Sequence, residues 1–531
     1  MNELARRRTF AIISHPDAGK TTLTEKLLLY GGALHLAGAV SGRANRAATT
    51  SDWMELEKQR GISVSSTVLQ FDYDAYRINL LDTPGHRDFS EDTYRVLTAV
   101  DSVIMVLDAA NGIESRTRKL FEVCRQRKVP IFTFINKLDR PTREPLELID
   151  QLERELDLKP YPMNWPLGTG RDFRGVYDRV SKQVCLFERT PGGAYRAPEA
   201  VHGLDDPLLA ESMDQETYER FVEEVQMLEQ IGPRWDEAEV AAGHMTPVFF
   251  GSAMNNFGVQ LLLDGFLRHS PPPLGRQSSA GLLAAEDPRF SGFVFKIQGN
   301  MDPRHRDRVA FLRVCSGRFS RDMAAFHCRT GKRLKLSNAH KLFGQEREII
   351  DEAYAGDILG LVGYPDLKMG DTLSEDPAVV YRETPHFPAE CFAFLQNPSP
   401  AKYKPFRRGL EQLLNEEVVQ SFSLKNGAHN AVLLAAVGPL QFDVVQFRLE
   451  SEYGVATKLE PAPWALARWL EAPLPALLPS GAQVAEDGAG QPMLLFKSEW
   501  DLGYFRKEHP GIVLHELSPR DRSTGLTQTA G

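Results

Sequence analysis

Nine residues near the amino terminus have the types and spacing of a phosphate-binding loop: Ser14, His15, Pro16, Asp17, Ala18, Gly19, Lys20, Thr21 and Thr22. They fit the pattern G-x-x-x-x-G-K-[ST], except that Ser14 replaces the first glycine. In such a loop the backbone amides bind phosphate oxygens, the lysine neutralises the β- and γ-phosphates, and the next hydroxyl binds Mg²⁺. Lys20 and Thr21 are therefore candidates for these two roles. The motif alone is also compatible with a turn that exposes a lysine, and it does not separate ATP from GTP.

A second set of candidate residues follows the apolar run at residues 78–81: Asp82, Thr83, Pro84, Gly85 and His86. An acidic residue at the end of a strand is well placed to hold Mg²⁺, usually through water. Gly85 has no Cβ, so its amide can approach a γ-phosphate closely. The stretch Arg60-Gly61-Ile62-Ser63 lies before this set, and Ser63 offers the metal a second hydroxyl. Each stretch, taken alone, is also compatible with a polar surface turn.

Two further motifs have the chemistry that selects guanine. The first consists of Asn136, Lys137, Leu138 and Asp139. The Asp139 carboxylate can accept hydrogen bonds from N1–H and the 2-amino group of guanine, which adenine lacks, and such polar pairing rejects the wrong base strongly. The stem of Lys137 can cover the base plane. The second motif includes Ser252 and Ala253, where a backbone amide such as that of Ala253 would bind the guanine carbonyl. Both motifs are short and occur often by chance.

The elements that must position these residues are short apolar runs that alternate with helical patterns. Strands are predicted at residues 9–14, 66–74, 77–82, 102–109, 130–136 and 247–252. This alternation predicts a mostly parallel sheet in an α/β domain. The strongest motifs then fall at the carboxyl ends of strands, where open α/β sheets bind ligands. Because five weak signals occur in one order within one domain, we expect a site for GTP or GDP with Mg²⁺.

The rest of the chain is predicted to contain an insertion and two further domains. We expect the nucleotide domain at residues 1–270, with a subdomain inserted at about 140–246, because a structureless loop of that length is implausible. Residues 271–289 are rich in proline, glycine and serine and are predicted to form a linker. Residues 290–385 have short strands and regular turns, which predicts a β-barrel. Residues 386–531 begin with strand, helix, strand, helix and strand, which is a ferredoxin-like α+β layout.

Composition limits the class of protein. A chain of 531 residues suggests three to four domains, and its net charge of −9 argues against a dedicated basic arm for nucleic acid. Five scattered cysteines without a C-x-x-C pair predict free thiols in a reducing cytoplasm. We expect no signal peptide and no membrane-spanning segment.

The motif set resembles that of the translational GTPases, because D-T-P-G-H and R-G-I-S are specific to that group. Runs such as TSDWMELEKQRGIS and AVGPLQFDVVQFRLESEYGV make most of the chain, to about residue 470, similar to the bacterial class II release factors, the peptide chain release factor 3 family. The resemblance implies a GTPase domain, a barrel and a mixed C-terminal domain, in agreement with the layout above. It also implies that His86 orients the attacking water and acts as a catalytic residue together with Lys20.

The resemblance further implies a ribosome-stimulated GTPase of translation termination. Such a factor promotes dissociation of class I release factors after peptide release and does not read the stop codon. The implied partners are the ribosome, with its RNA and proteins, and the class I release factors. Neither DNA nor a membrane is implied, and we expect a cytoplasmic monomer.

Two other hypotheses remain at this stage. A nucleotide-gated binding protein with negligible hydrolysis is disfavoured by the presence of Lys20, Thr21 and His86. A translocase or ribosome-protection factor is disfavoured by the short C-terminal half. The basic clusters at residues 304–308 and 402–408 fit contact with RNA phosphates and solvated surface charge equally well.

Overall fold

The computed structural model of the chain describes residues 2–32, 57, 63–188, 199–211, 213–300, 307–344, 346–382, 388–424, 431–470 and 481–517. Some predictions fall outside these ranges: residues 60–62 of the R-G-I-S motif, residues 304–306 of the first basic cluster, and the polar end from residue 518. No helix in the described ranges is long and apolar enough to cross a membrane. All five cysteines are free thiols, as predicted.

The first half of the chain alternates strands and helices. Its strands are β1 (Arg7–Ser14), β2 (Thr67–Tyr73), β3 (Tyr76–Asp82), β4 (Ser102–Asp108), β5 (Ile131–Asn136), β6 (Lys159–Pro162), β7 (Asn164–Leu167), β8 (Gly175–Asp178), β9 (Gln183–Phe187), β10 (Glu199–Gly203) and β11 (Met245–Phe250). Its helices are α1 (Lys20–Tyr30), α2 (Ser90–Thr98), α3 (Ser115–Gln126), α4 (Pro145–Leu156), α5 (Pro207–Glu211), α6 (Gln215–Ile231), α7 (Glu237–Ala241) and α8 (Val259–His269). Short 3-10 turns occur at Arg87–Phe89 and Gly170–Asp172.

The main sheet of this half is mostly parallel, as predicted. Its strand order is β2-β3-β1-β4-β5-β11-β6, and only the β2–β3 pair is antiparallel. Every residue of β1 is buried, which explains the unbroken apolar run at residues 10–13 in the sequence. Parallel pairing places the carboxyl ends of β1, β3, β4, β5 and β11 at one edge of the sheet, where the predicted motifs lie.

The stretch between β5 and β11 is folded. Its first strand, β6, joins the main sheet beside β11. Strands β7 to β10 form a separate antiparallel sheet in the order β10-β9-β8-β7. Trp165 of β7 is fully buried and packs edge-on against Phe250, so the small sheet is anchored to the main one.

The middle of the chain consists of antiparallel strands around a core of its own. They are β12 (Arg276–Ser278), β13 (Gly281–Leu283), β14 (Ser291–Gly299), β15 (Arg308–Ser316), β16 (Arg318–Ser320), β17 (Ala324–His327), β18 (Lys332–Lys335), β19 (Ala339–Phe343), β20 (Glu346–Ile349), β21 (Glu352–Tyr354), β22 (Ile358–Val362) and β23 (Thr372–Ser374). The segment predicted as a linker contains the β12–β13 hairpin. Strand β14 is buried along its whole length, between β15 and β23.

The last part of the chain combines an antiparallel sheet with three helices. Its elements are β24 (Cys391–Gln396), a 3-10 turn (Pro400–Lys402), α9 (Tyr403–Asn415), β25 (Gln420–Leu424), β26 (Val432–Ala436), α10 (Leu440–Tyr453), β27 (Lys458–Pro461), β28 (Leu466–Leu470), β29 (Ala482–Glu486), β30 (Pro492–Phe496), α11 (Glu499–Glu508) and β31 (Leu514–His515). The sheet order is β27-β24-β26-β25-β29-β30-β28-β31.

The first four strands of this sheet have the ferredoxin-like arrangement that the sequence predicts. The predicted element list nevertheless lacked β25, because its residues are mainly polar and only Phe422 is fully buried. The strands after β27 were also not predicted. They extend the same sheet from β25 and form a small core with α11.

Buried ion pairs join the first two domains. Arg7 Nε lies 2.7 Å from Asp357 Oδ2, and Arg313 Nη2 lies 2.5 Å from Asp101 Oδ2, with all four side chains almost fully buried. A backbone pairing between Leu69 of β2 and Phe343 of β19 connects the two sheets. These contacts fix the barrel against the side of the sheet that carries β2 and β3.

Candidate nucleotide-binding site

The predicted phosphate loop connects β1 to α1 and has the backbone conformation of a tight turn. Asp17 and Gly19 have φ values of 65° and 96°, in the left-handed region. Gly19 also needs to be glycine because a Cβ there would clash with the amide group of Asn136. Helix α1 begins without a side-chain cap and without an acidic residue in its first turn. Its first amides are therefore available to an anion.

Lys20 and Asp82 form a buried ion pair below this loop. Lys20 Nζ lies 2.5 Å from Asp82 Oδ1, and the side chains are only 6% and 3% exposed. The pair brings the first residue of α1 to the carboxyl end of β3. Thr21 follows Lys20 on the helix and is half-buried, as is Ser63. A buried carboxylate and hydroxyl oxygens are the kind of ligands that Mg²⁺ prefers, so the residues present fit this ion.

The turn from Asp82 to His86 is fixed against the phosphate loop. The Thr83 hydroxyl donates to the carbonyl oxygen of Ile12 at 2.7 Å, within β1. A Cβ at Gly85 would meet the Cα of Pro16 at 3.7 Å, so this glycine lies close to the loop. His86 caps the 3-10 turn Arg87–Phe89, and its side chain remains 38% exposed. The predicted catalytic histidine is thus accessible at the edge of the site.

Asn136 connects three of the predicted motifs. Its Nδ2 donates to the carbonyl oxygen of Ala18 at 2.8 Å, and its Oδ1 accepts from the amide of Ala253 at 2.9 Å. The prediction of a role for the Ala253 amide did not anticipate that this amide already has Asn136 as a partner. Ser252 and Ala253 are both fully buried, and Ser252 is held by two backbone bonds with Phe257.

Lys137 and Asp139 lie on either side of Leu138, whose side chain is buried. Lys137 has a positive φ of 69° and donates to the carbonyl oxygen of Asp17 and to Asp108 Oδ2. The Leu138 amide donates to the carbonyl oxygen of Gly251 at 3.2 Å. Asp139 is half-buried, and its carboxylate has no hydrogen bond or ion pair with the described residues. Within the described part of the chain its acceptor oxygens are therefore free, as the prediction of a base contact requires.

Two acidic residues at this edge were missed in the sequence. Asp108 ends β4 and pairs with Lys137, with 2.8 Å between Oδ2 and Nζ. Glu114 precedes α3 and lies 2.8 Å from His15 Nε2. Asp108 could have been found from its position at the end of a predicted strand. Nothing in the sequence pointed to Glu114, because its proximity to His15 depends on how the loop after β4 folds.

The barrel and the C-terminal domain contact two chain segments that flank this site, one after Ser63 and one after His86. Lys296 of β14 donates to Ser65 Oγ at 2.6 Å and to Ser66 Oγ at 2.8 Å, two and three residues after Ser63. Burial lowers the pKa of Lys296, with Asp92 3.8 Å away as a partly compensating charge. Asp88 accepts a hydrogen bond from the amide of Leu440 at 2.7 Å. A cavity of about 70 Å³ lies where the three domains meet.

The cavity is also lined by an ion-pair network of the C-terminal domain. Arg448 Nη1 lies 2.6 Å from Glu416 Oε2, and Arg448 Nε lies 2.6 Å from Glu452 Oε1. Burial alone would lower the pKa of Arg448, but the two carboxylates outweigh it and raise the pKa. The amide of Gly299, at the end of β14, donates to Glu416 Oε1 at 3.0 Å. The network therefore ties the C-terminal domain to the barrel.

Comparisons with known proteins agree with this three-part arrangement. The model of the elongation factor Tu GTP binding domain matches residues 5–272. Elongation factor G domain 2 matches residues 289–376, and the class II release factor RF3 C-terminal domain matches residues 381–506. A crystal structure of a protein from Thermus thermophilus has a TM-score of 0.68 and 22% identity, and the match covers 92% of this chain and 72% of that one. The fold and these matches define a translational GTPase, with the predicted barrel as its second domain.

Curated relatives identify the family. Peptide chain release factor 3 of Gloeothece citriformis is 54% identical over 97% of this chain and 96% of its own length. The proteins of the same name from Microcystis aeruginosa and Gloeobacter violaceus are also 54% identical, over 97% of this chain and 96% and 98% of their lengths. The chain belongs to the peptide chain release factor 3 family. It is a guanine-nucleotide-binding GTPase of translation termination.

Proposed function

We propose that the chain uses GTP on the ribosome to promote dissociation of class I release factors after peptide release, without reading the stop codon. The observation that carries this proposal is the similarity to peptide chain release factor 3 over 97% of the chain. The match to the C-terminal domain of class II release factors supports it. This match is independent of the GTPase domain, which by itself would fit an elongation factor equally well. The proposed partners are the ribosome and class I release factors, and the proposed setting is the cytoplasm.

The nucleotide would lie across the edge formed by the five loops. The loop from Ser14 to Thr22 would bind the phosphates with its backbone N–H groups, which Pro16 alone lacks, and Lys20 would neutralise the β- and γ-phosphates. Asp139 would accept hydrogen bonds from the guanine, and the stem of Lys137 would cover the base. Asn136 would hold the phosphate loop and the Ser252–Ala253 loop in register, since it is bonded to Ala18 and Ala253.

Thr21, Ser63 and Asp82 would hold Mg²⁺. When bound, this ion would offset negative charge on the β- and γ-phosphates. Asp82 is oriented by Lys20, with 2.5 Å between Oδ1 and Nζ. Thr21 would present its hydroxyl from the first turn of α1, and Ser63 would present a second hydroxyl from the segment before β2. Ser63 would engage the ion when the γ-phosphate is present.

His86 would orient the water that attacks the γ-phosphate. Phosphoryl transfer depends on positioning and on charge stabilisation more than on covalent chemistry by the protein. The partly exposed ring of His86 follows Gly85, which lies against the phosphate loop at Pro16. Gly85 would approach the γ-phosphate with its amide. The γ-phosphate would order the segments at Ser63 and Gly85, and hydrolysis would release them.

The three matched regions support a division of the chain into a nucleotide domain at residues 1–270, a barrel at 290–385 and a C-terminal domain from 386. The inserted subdomain at about 140–246 would belong to the first of these. The strands β7 to β10 support it, because they form a sheet apart from the main one.

A reconstituted termination reaction tests this function. Ribosomes halted at a stop codon are given a limiting amount of a class I release factor, and the peptide released per factor is counted. We expect the chain with GTP to raise this number above one per factor, whereas GDP does not. The His86→Ala variant is the matched control and should not support multiple rounds. Release that stays at one peptide per factor with active wild-type protein would rule the proposal out.

A further inference from the structure

Asp88 links the candidate catalytic histidine to the C-terminal domain. Its backbone amide donates to His86 Nδ1 at 3.3 Å, and its Oδ1 lies 3.5 Å from the same nitrogen. Its other carboxylate oxygen, Oδ2, accepts from the amide of Leu440 at 2.7 Å. Asp88 itself is only 7% exposed. Asp88 is therefore bonded to His86 through its backbone amide and to the first residue of α10 through its buried side chain.

The contact with Asp88 caps the amino terminus of α10. This helix has 14 residues, and its own N-cap residue, Pro439, provides no side-chain cap. A carboxylate at this end is favourable because it satisfies a free amide and meets the positive end of the helix dipole. Asp88 supplies this cap from another domain, 352 positions away in the chain. The cap is therefore lost whenever α10 separates from the nucleotide domain.

Gly438 makes the close approach possible. A Cβ at this position would overlap the carboxyl group of Asp88. Gly438 is buried, and its amide is held by Gln441 Oε1 at 3.0 Å, so the backbone has little room to yield. Any larger residue would push Asp88 and α10 apart.

A small apolar cluster lies beside the contact. Phe89, Val64 and Val444 are buried together, and Leu440 packs against them. Phe89 follows Asp88, and Val64 follows Ser63, the proposed magnesium ligand. The docked helix thus holds both segments that flank the proposed γ-phosphate position, one through Asp88 and one through Val64.

We propose that Asp88 is a positioning residue for GTP hydrolysis, which fixes His86 for the reaction only while α10 is docked on the nucleotide domain. This inference rests on the proposed role of His86. When α10 is docked, the Leu440 amide holds the carboxylate, and the turn that carries His86 is fixed. When α10 leaves, the carboxylate loses this partner and the turn loses its anchor. The position of the C-terminal domain therefore controls turnover through one side chain.

The Gly438→Ala variant tests this from the C-terminal domain, without changing any residue of the nucleotide site. Gly503→Ala is the matched control, because Gly503 is in the same domain and a Cβ there meets nothing within 4 Å. The measurements are kcat and KM for GTP with saturating ribosomes, and the affinity for GDP. We expect kcat of Gly438→Ala to fall by about ten- to a hundredfold, as for other small displacements of catalytic groups, with KM and GDP affinity unchanged. Gly503→Ala should match the wild type.

Wild-type kcat in folded Gly438→Ala overturns the inference, and so does an equal loss in Gly503→Ala. A loss that appears in KM for GTP or in GDP affinity instead of kcat also overturns it, since it indicates general damage. If Gly438→Ala does not fold, kcat, KM and GDP affinity are measured for Asp88→Ala instead and judged by the same criteria. His86→Ala is measured alongside. If it retains stimulated turnover, the proposed role of His86 fails and the inference with it. If it is inactive while Gly438→Ala is normal, only the inference fails.

Discussion

Lys20 and Asp82 form an ion pair, with 2.5 Å between Nζ and Oδ1, inside the site that the sequence predicts for the phosphates and the metal. Both side chains are almost completely buried, so each charge depends on the other. The pair holds the start of α1 against the end of β3. We infer that it also prepares the site, because it brings both groups to the edge where the phosphates and the metal are predicted to bind.

Replacing Lys20 by Met should destabilise the nucleotide domain as well as abolish tight binding. The carboxylate of Asp82 would remain buried without a cation, which costs about 3–5 kcal/mol. The double variant Lys20→Met with Asp82→Leu should regain most of this stability, since an apolar pair can replace a buried ion pair. Urea unfolding of the nucleotide-free proteins measures both. If the double variant is as unstable as the single one, the loss has another cause than the unpaired carboxylate.

Replacing Asn136 by Ala should weaken GDP and GTP binding by the same factor. The side chain bridges Ala18 and Ala253, and neither contact depends on a γ-phosphate. Leaving these two buried backbone groups unpaired should also cost about 1–3 kcal/mol of unfolding free energy. Asn255→Ala is the control, because Asn255 is in the same loop as Ala253 but its hydrogen bonds with the described residues go to Ser252. Calorimetric titration with each nucleotide gives the factor, and a selective loss of GTP would contradict the bridging role.

Replacing Asp139 by Asn should shift the preference from guanosine towards xanthosine nucleotides. The change turns two acceptors into one acceptor and one donor, which suits the 2-oxo group of xanthine. We expect the ratio of GTP to XTP affinity to fall by roughly a hundredfold or more. Competition binding measures the ratio, with Asp150→Asn on α4 as the control, since Asp150 pairs with Arg154 on the surface of its own helix. An unchanged ratio would remove Asp139 from the base site.

Lys296 should give stability a characteristic dependence on pH. An unfolded lysine titrates near 10.5, and burial lowers the pKa of the folded one. Between the two pKa values the unfolded state binds more protons than the folded state. The contribution of Lys296 to the unfolding free energy therefore rises with pH. The steepest rise of this free energy is about 1.4 kcal/mol per pH unit.

The variant Lys296→Met should lack this rise of the unfolding free energy with pH. The difference between the wild type and the variant therefore gives the contribution of Lys296. Lys335→Met is the control, because Lys335 is a barrel lysine that is 68% exposed. Unfolding midpoints in urea, taken at intervals up to pH 10.5, provide the two difference curves. Parallel curves for the wild type and Lys296→Met would contradict the burial of this ammonium group in the folded state.

The sequence predicted those parts of the molecule that depend on local pattern. The strands of the main sheet are apolar runs of the right length, and the motifs follow them directly, so both were visible. Strand β25 was missed because Phe422 is its only fully buried residue and its other residues are mainly polar.

Contacts between distant residues could not be predicted in the same way. Lys296 and Ser66 are 230 positions apart, and Asp88 and Leu440 are 352 apart. Neither Lys296 nor Asp88 was singled out in the sequence. Their burial follows only from how three domains pack together, which no local pattern encodes.

The rate of GTP hydrolysis with and without ribosomes tests the central claim most directly. The wild type and His86→Ala are compared at saturating GTP, with GDP affinity measured for both as a check on the folded site. We predict slow turnover by the wild type alone, a large increase with ribosomes, and no such increase for His86→Ala at unchanged GDP affinity. Equal slow rates with and without ribosomes, or full stimulation of His86→Ala, would contradict this account.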